Sequence, residues 1–420
     1  QLFRSMAGGE PGKITKVGLG TFIDPRIDGG KMNEVTRDAP DLVDVVEIDG
    51  EEYMRYKPIP IDYCIIRGTY VDELGNLTTD EEAMSLELWG AVMACKKYGG
   101  KVIAQAKYLV KSGTLHCKRV VIPGVFIDAV VICPNPEEDH RQTHSFAFDP
   151  AYCGDIKRPN TSSDTLPLTL RKLIGRRALC ELKNDDILNV GTGTPNDVIG
   201  PILSEERVEN DVTITVESGV YGGIPMGCVD FGIAKNNFAL VRHDDQFDYY
   251  NGVGVDVTFM GAGEVDAAGN VNATRLGPKP TGAGGFIDIT TNAQHVVFCS
   301  SFTGGGLDCS FEDGKLHINR EGRITKFVNT LKQLSYNGKN AVAKHQKMHY
   351  VTERAVFELR PEGLTLIEIA PGADLQKDIL DRMEFVPVIS PDLKEMDKAL
   401  FCSNGPFGLK DIMSNNKSDN

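Results

Sequence analysis

Two stretches, VDELGNLTT (Val71–Thr79) and VDAAGNVNA (Val265–Ala273), share the pattern V-D-x-x-G-N and lie 194 residues apart. The D-x-x-G-N core is by itself a familiar turn, in which Gly takes a positive φ and Asp or Asn bonds the backbone. The same ungapped offset also pairs Asp62 with Asp256, Thr21 with Thr215, and KVIAQ from Lys101 with HVVFC from His295. Several apolar segments agreeing at one offset point to two related halves and not to one recurring turn.

Working outward, each half reads as α/β. In the first, ITKVGLG (Ile14–Gly20), IDYCIIRG (Ile61–Gly68), KVIAQ and VFIDAVVIC (Val125–Cys133) have the apolar runs of short buried strands. Between them, Asp80–Gly100 reads as a helix, with an acidic first turn, Met84, Leu88 and Ala91 at helical spacing, Lys96 and Lys97 late, and Gly99 as a stop. In the second half, DILNV (Asp186–Val190), VTITV (Val212–Val216), VDVTFM (Val255–Met260) and HVVF (His295–Phe298) read as strands, and Leu166–Leu182 as a helix. Continuous apolar strands alternating with helices predict two open, largely parallel sheets. The polar, turn-rich stretch Pro134–Thr165 is the natural boundary, giving halves at 1–155 and 156–420. The offset places residue 1 opposite 195. The counterpart of strand 186–190 would then precede Gln1, and the first half is expected to lack roughly its first thirty residues.

The chain has 420 residues and a formal charge of −14, with 41% apolar and 25% charged residues. That is the composition of a globular protein with ample core and not of a disordered one. The acidic balance argues against nucleic acid or an anionic membrane as principal partner. The most apolar stretch, Val120–Cys133, is interrupted by Pro123 and Asp128 and is too short for a span. Ten scattered cysteines without a C-x-x-C pair predict reduced thiols and a cytoplasmic location.

Three glycine-rich stretches follow strands in the second half. NVGTGTPND (Asn189–Asp197) has Thr194 as an expected N-cap and Pro195 in the first helical turn, but lacks the third glycine of the dinucleotide fingerprint. Such a turn presents backbone N–H groups to an anion; the bland alternative is a tight turn. VESGVYGGIP (Val216–Pro225) puts the carboxylate of Glu217 at the carboxyl end of a buried strand, where open α/β sheets build their sites. That carboxylate is a nucleophile, a general base, or a turn residue facing water. GPKPTGAGGFIDIT (Gly277–Thr290) allows close approach of backbone to a ligand or makes a loose turn. The pairs His140/His144 and His345/His349 have i,i+4 spacing but no glutamate completing H-E-x-x-H, so no metal site is expected. Trp89 reads as core, and PEED (Pro136–Asp139) as a solvated loop.

Taken together, VESGVYGGIP, QFDYYNGVGVD (Gln246–Asp256), GEVDAAGNVNATRLG (Gly263–Gly277) and GAGGFIDIT resemble the β-half of a family I coenzyme A transferase. The first half agrees through KVGLGTFIDPRIDGGKMN (Lys16–Asn33), GGKVIAQ (Gly99–Gln105), VIPGVFID (Val121–Asp128) and QTHSFAFDPAYCG (Gln142–Gly154), as does the tail GPFGLK (Gly405–Lys410). The resemblance is closest to the fused short-chain acyl CoA-transferases, acting on acyl-CoA and carboxylic acids such as acetate and propionate. It implies that Glu217 attacks the acyl-CoA thioester and passes through an acyl-glutamyl anhydride to a γ-glutamyl-CoA thioester. It implies the backbone amide of Gly285 as an oxyanion donor, and Gly191, Gly193, Gly261, Ala262 and Gly284 as neighbours of coenzyme A. Coenzyme A enters as a substrate and not as a resident cofactor, and the family's habit implies a homo-oligomer. Two departures stand out. The resemblance implies that the family's second oxyanion donor, a glutamine in a Pro-Gln-Gly stretch, stands just upstream of the opening QLF, so its absence is expected here. Val253 stands where relatives have glycine, which would tighten the acyl or pantetheine pocket.

Overall fold

The computed structural model describes residues 1–159, 165–277 and 281–416. Residues 160–164 of the expected boundary stretch, and 278–280 of the third glycine-rich stretch, lie outside the described residues. The strands that position the site are β1 (Tyr63–Asp72), β2 (Lys101–Val110), β3 (Ala129–Ile132), β4 (Ile187–Val190), β5 (Thr213–Val216), β6 (Val220–Tyr221), β7 (Val257–Gly261), β8 (His295–Cys299), β9 (Lys347–Val351), β10 (Ala355–Arg360), β11 (Gly363–Ile369) and β12 (Val388–Glu395). The helices are α1 (Leu2–Gly8), α2 (Leu88–Lys97), α3 (Leu170–Leu179), α4 (Thr194–Glu205), α5 (His243–Gly252) and α6 (Phe286–Asn292). The chain forms two units that interleave along the sequence. One comprises Gln1–Lys16, Pro40–Asn160 and Thr215–Tyr249; the other comprises Val17–Ala39, Thr161–Ile214 and Tyr250–Asn420.

In the first unit, β1 and β2 pair in parallel from Tyr63↔Lys101 to Asp72↔Val110, and β3 adds in parallel beside β2. The alternation along β1 buries Cys64 and Ile66 against Val92 and Cys95 of α2, with Val102 and Ala104 of β2 in the same cluster. Two short strands, Leu77–Thr78 and Val120–Ile122, extend the sheet antiparallel. A separate antiparallel sheet joins Lys13–Thr15, which overlaps the strand expected from Ile14, to Glu51–Tyr56 and Val43–Ile48, neither of which was expected from the sequence. In the two unexpected strands charges interrupt the apolar residues and most positions are half-buried or exposed, which breaks the run that betrays a strand.

In the second unit, β4, β7, β8 and β9 run parallel in that order. Antiparallel β10 and β11 follow, and β12 lies parallel to β11. Beneath this sheet α3 and α4 bury Leu173, Ile174, Ile199 and Ile202 against Leu188, Phe259 and Val297. The Thr169 side chain caps α3 by accepting from Lys172 N–H at 3.2 Å.

Several expectations need correcting. The sheets are mixed and not largely parallel. The buried strand expected over Ile14–Gly20 is confined to Lys13–Thr15, an edge with Ile14 exposed. The segment Val125–Cys133 is strand only over Ala129–Ile132, and that strand is exposed. The helix expected over Asp80–Gly100 begins at Leu88. Its acidic lead is drawn off by tertiary partners: Glu81 pairs with Lys107 at 2.6 Å and Glu82 with Arg67 at 3.1 Å, while Leu86 has φ +48°. Trp89 is not core but 40% exposed, packed edge-on against Phe126. PEED is one surface turn of helix. Among the described residues no helix is long and apolar enough to cross a membrane.

Candidate active site

Glu217 sits in the three-residue turn that joins β5 to β6, where Val216 pairs with Val220. The strand feeding it, Ile214–Val216, is buried, and Glu217 itself is half-buried. Three contacts fix the turn. Gly219 N–H donates to Val216 O at 2.9 Å, and Val241 N–H donates to Gly219 O at 2.8 Å. The Ser218 hydroxyl donates to the Gly232 carbonyl. Gly219 has φ +99°, and a Cβ there would stand 2.1 Å from Val241 O, so only glycine closes this turn. The carboxylate is thus carried on a turn braced on both sides, at the carboxyl end of a buried strand, as the sequence indicated. In the same unit α5 is moored by Arg4 of α1, which pairs with Asp244 and, at 2.6 and 2.5 Å, with Asp245 and Asp248.

In the second unit the glycine turns gather at the carboxyl ends of adjacent strands. Gly191 follows β4 and its N–H donates to Phe259 O at 2.8 Å; a Cβ there would meet the Met260 sulfur at 2.6 Å. Gly193, exposed and at φ +93°, is the N-cap of α4. The cap was expected at Thr194, but the reversal into the helix needs a positive φ that threonine disfavours, so Thr194 and Pro195 both become helical. Gly261 ends β7, with Ala262 next, both half-buried. Because β4 and β7 are parallel neighbours, these four residues leave the sheet side by side. Gly284, exposed at φ +51°, and Gly285, the N-cap of α6, open the helix that crosses from β7 to β8. A helix in such a crossover runs back against its strands, which turns its amino end towards their carboxyl ends. Val253, expected to narrow a pocket, lies just past α5 and is 72% exposed.

The sequence reading passed over a cation at this rim. Lys326 reaches the end of β8, donating to Ser300 Oγ at 2.9 Å and Ser301 Oγ at 3.1 Å. It lines one small cavity with Ala262 and Gly263. Burial pushes its ammonium below the usual lysine range, partly opposed by the charge of Glu353. Lys326 lies 26 and 25 residues from Ser300 and Ser301 in sequence, and no local pattern announces the contact. The histidine pairs do not behave as helical ligand pairs. His349 lies in β9, whereas His140 is buried, with Nε2 3.1 Å from Glu82 Oε1.

Residues 2–132 and 174–300 match the family model described as Coenzyme A transferase. Caffeate CoA-transferase of Acetobacterium woodii is 45% identical over 417 residues, covering 98% of this chain and 78% of that protein. Acetate CoA-transferase YdiF of Escherichia coli strain K12 is 43% identical, covering 96% of this chain and 74% of the relative. The crystal structure of the acyl-CoA transferase YdiF apoenzyme from Escherichia coli O157:H7 superposes with a TM-score of 0.90 at 42% identity, over 97% of this chain and 76% of that one. With a turn-borne carboxylate, glycine turns at the carboxyl ends of parallel strands, and this likeness over nearly its whole length, the chain belongs to the coenzyme A transferase family.

Proposed function

We propose that this chain exchanges coenzyme A between short-chain acyl-CoA and carboxylic acids, with Glu217 as the nucleophile. The carrying observation is the placement of Glu217 on a glycine-closed turn at the end of a buried strand. Its carboxylate attacks the thioester carbonyl, the coenzyme A thiolate leaves, and an acyl-glutamyl anhydride forms. The thiolate then attacks the glutamyl carbonyl and expels the acid, leaving a glutamyl-CoA thioester. A second carboxylate reverses both steps and departs as its CoA ester. Each step exchanges one activated acyl bond for another, so the thioester energy is kept from water. Each tetrahedral intermediate needs pre-aimed donors, and the Gly285 amide serves as one of them. Gly191, Gly193, Gly261, Ala262 and Gly284 line the path of coenzyme A. A solved relative described as a YdiF thioester complex with CoA supports a covalent route. One relative is named for acetate and another for caffeate, and the short-chain reading follows the first.

The test supplies acetyl-CoA with propionate, acetate or caffeate as acceptor and follows the CoA esters formed. Propionyl-CoA should accumulate only with acceptor present, and Glu217→Gln should lower the rate at least ~10³-fold. Release of free coenzyme A without any acceptor would make the chain a hydrolase. Transfer to caffeate alone would overturn the short-chain reading.

A further inference from the structure

At the amino ends of β8 and β9, opposite the rim just described, three ligand-type side chains from three elements converge. They are His295, the first residue of β8, His349, the third of β9, and Glu181, just past α3. His295 Nε2 is 2.8 Å from His349 Nδ1, which is 3.3 Å from Glu181 Oε2, while His295 Nε2 and Glu181 Oε2 are 4.0 Å apart. Both imidazoles are buried, and the carboxylate side chain is 11% exposed. Among the described residues this is the one group of three such side chains whose ligand atoms all lie within 4.8 Å of one another.

We propose that Glu181, His295 and His349 bind a divalent transition-metal ion of the zinc class, as a structural staple between α3 and the two strands. The inference is independent of the proposed reaction. A zinc ion with bonds of about 2.0–2.1 Å holds its ligand atoms about 3.3–3.4 Å apart in a tetrahedron. The three observed separations bracket that edge and each lies within about 0.7 Å of it, so small side-chain shifts seat the ion, with the fourth position left to water. Two imidazole nitrogens and one carboxylate oxygen suit zinc, cobalt or nickel, and not magnesium or calcium, which take oxygen ligands. The remaining carboxylate oxygen is already oriented: Arg177 donates to Glu181 Oε1 at 2.9 Å and is held in turn by Glu368. Outer partners of this kind fix ligating groups in metal sites. Lys347 opposes a cation here, with its ammonium 3.1 Å from Glu181 Oε2. It is half-exposed, however, and can turn to solvent when an ion arrives.

The probe is cobalt(II), titrated into the full chain after treatment with a chelator. We expect one equivalent to bind with the visible absorption of a tetrahedral nitrogen–oxygen site and without a thiolate charge-transfer band. His295→Gln and His349→Gln should each weaken binding at least tenfold. Lys347→Met keeps every ligand and removes the competing charge, so it should tighten binding several-fold. That variant remains informative if a histidine variant fails to fold. Absence of saturable binding by the folded chain, a thiolate band, binding unchanged in His349→Gln, or no gain in Lys347→Met would each overturn the proposal.

Discussion

Gly219 shows how closely backbone and chemistry are tied at the level of one residue. Replacing it with alanine forces a Cβ against Val241 O at a left-handed backbone position. That should cost at least about 1–3 kcal/mol and displace Glu217 from its position. Gly219→Ala is therefore expected to lower the denaturant midpoint and to depress transfer activity together. An unaltered midpoint with full activity would show that the turn does not hold the carboxylate. The place of Glu217 in the fold was legible in the sequence because it follows an apolar strand and precedes a Ser-Gly turn, both of which are local signals. The cap of α4 was misread by one residue, since a G-T-P sequence does not reveal which residue carries the positive φ. Lys326 could not be read at all, because its role depends on serines across the fold.

At the level of the element, α3 carries the most exacting contacts. Although it lies in the core, it presents Lys172, Arg176 and Arg177 inward, and each finds partners. Lys172 Nζ donates to Leu166 O and Asn404 O, both at 2.6 Å; Arg176 donates to Leu400 O at 2.9 Å. Arg177 meets Glu368 at 2.6 and 3.1 Å and Glu181 at 2.9 Å. Removing one partner of a buried pair strands the others. Arg177→Met should then destabilise the protein by about 3–5 kcal/mol, measured as a fall in the urea midpoint at unchanged m-value. A loss below about 1 kcal/mol, the range of exposed pairs, would contradict this view of the helix. From sequence the helix was visible through its apolar spacing, but the destination of its three cations was not, since Glu368 lies 191 residues away. The reverse error occurred at α2. The acidic run 80–82 has the composition of a helical first turn, yet Lys107 and Arg67 claim its carboxylates and the helix starts later.

For the whole molecule, the pairing of VDELGNLTT with VDAAGNVNA was the most informative reading. It matched β1 to β7 and β2 to β8; β1 and β2 are parallel neighbours within one unit, as β7 and β8 are within the other. Strands buried on both faces were readable as apolar runs, such as β4, β7 and β8. The half-exposed strands Val43–Ile48 and Glu51–Tyr56 were invisible, because exposure blurs the pattern that reveals a strand. The interleaving of the units was equally hidden, since it joins segments distant in sequence. The reaction we assign makes one covalent demand of this architecture. When the full chain is mixed with acetyl-CoA alone, digested and analysed by mass spectrometry, coenzyme A should be found attached to Glu217 and missing from Glu217→Gln. An unmodified Glu217 in protein that still transfers coenzyme A would contradict the account.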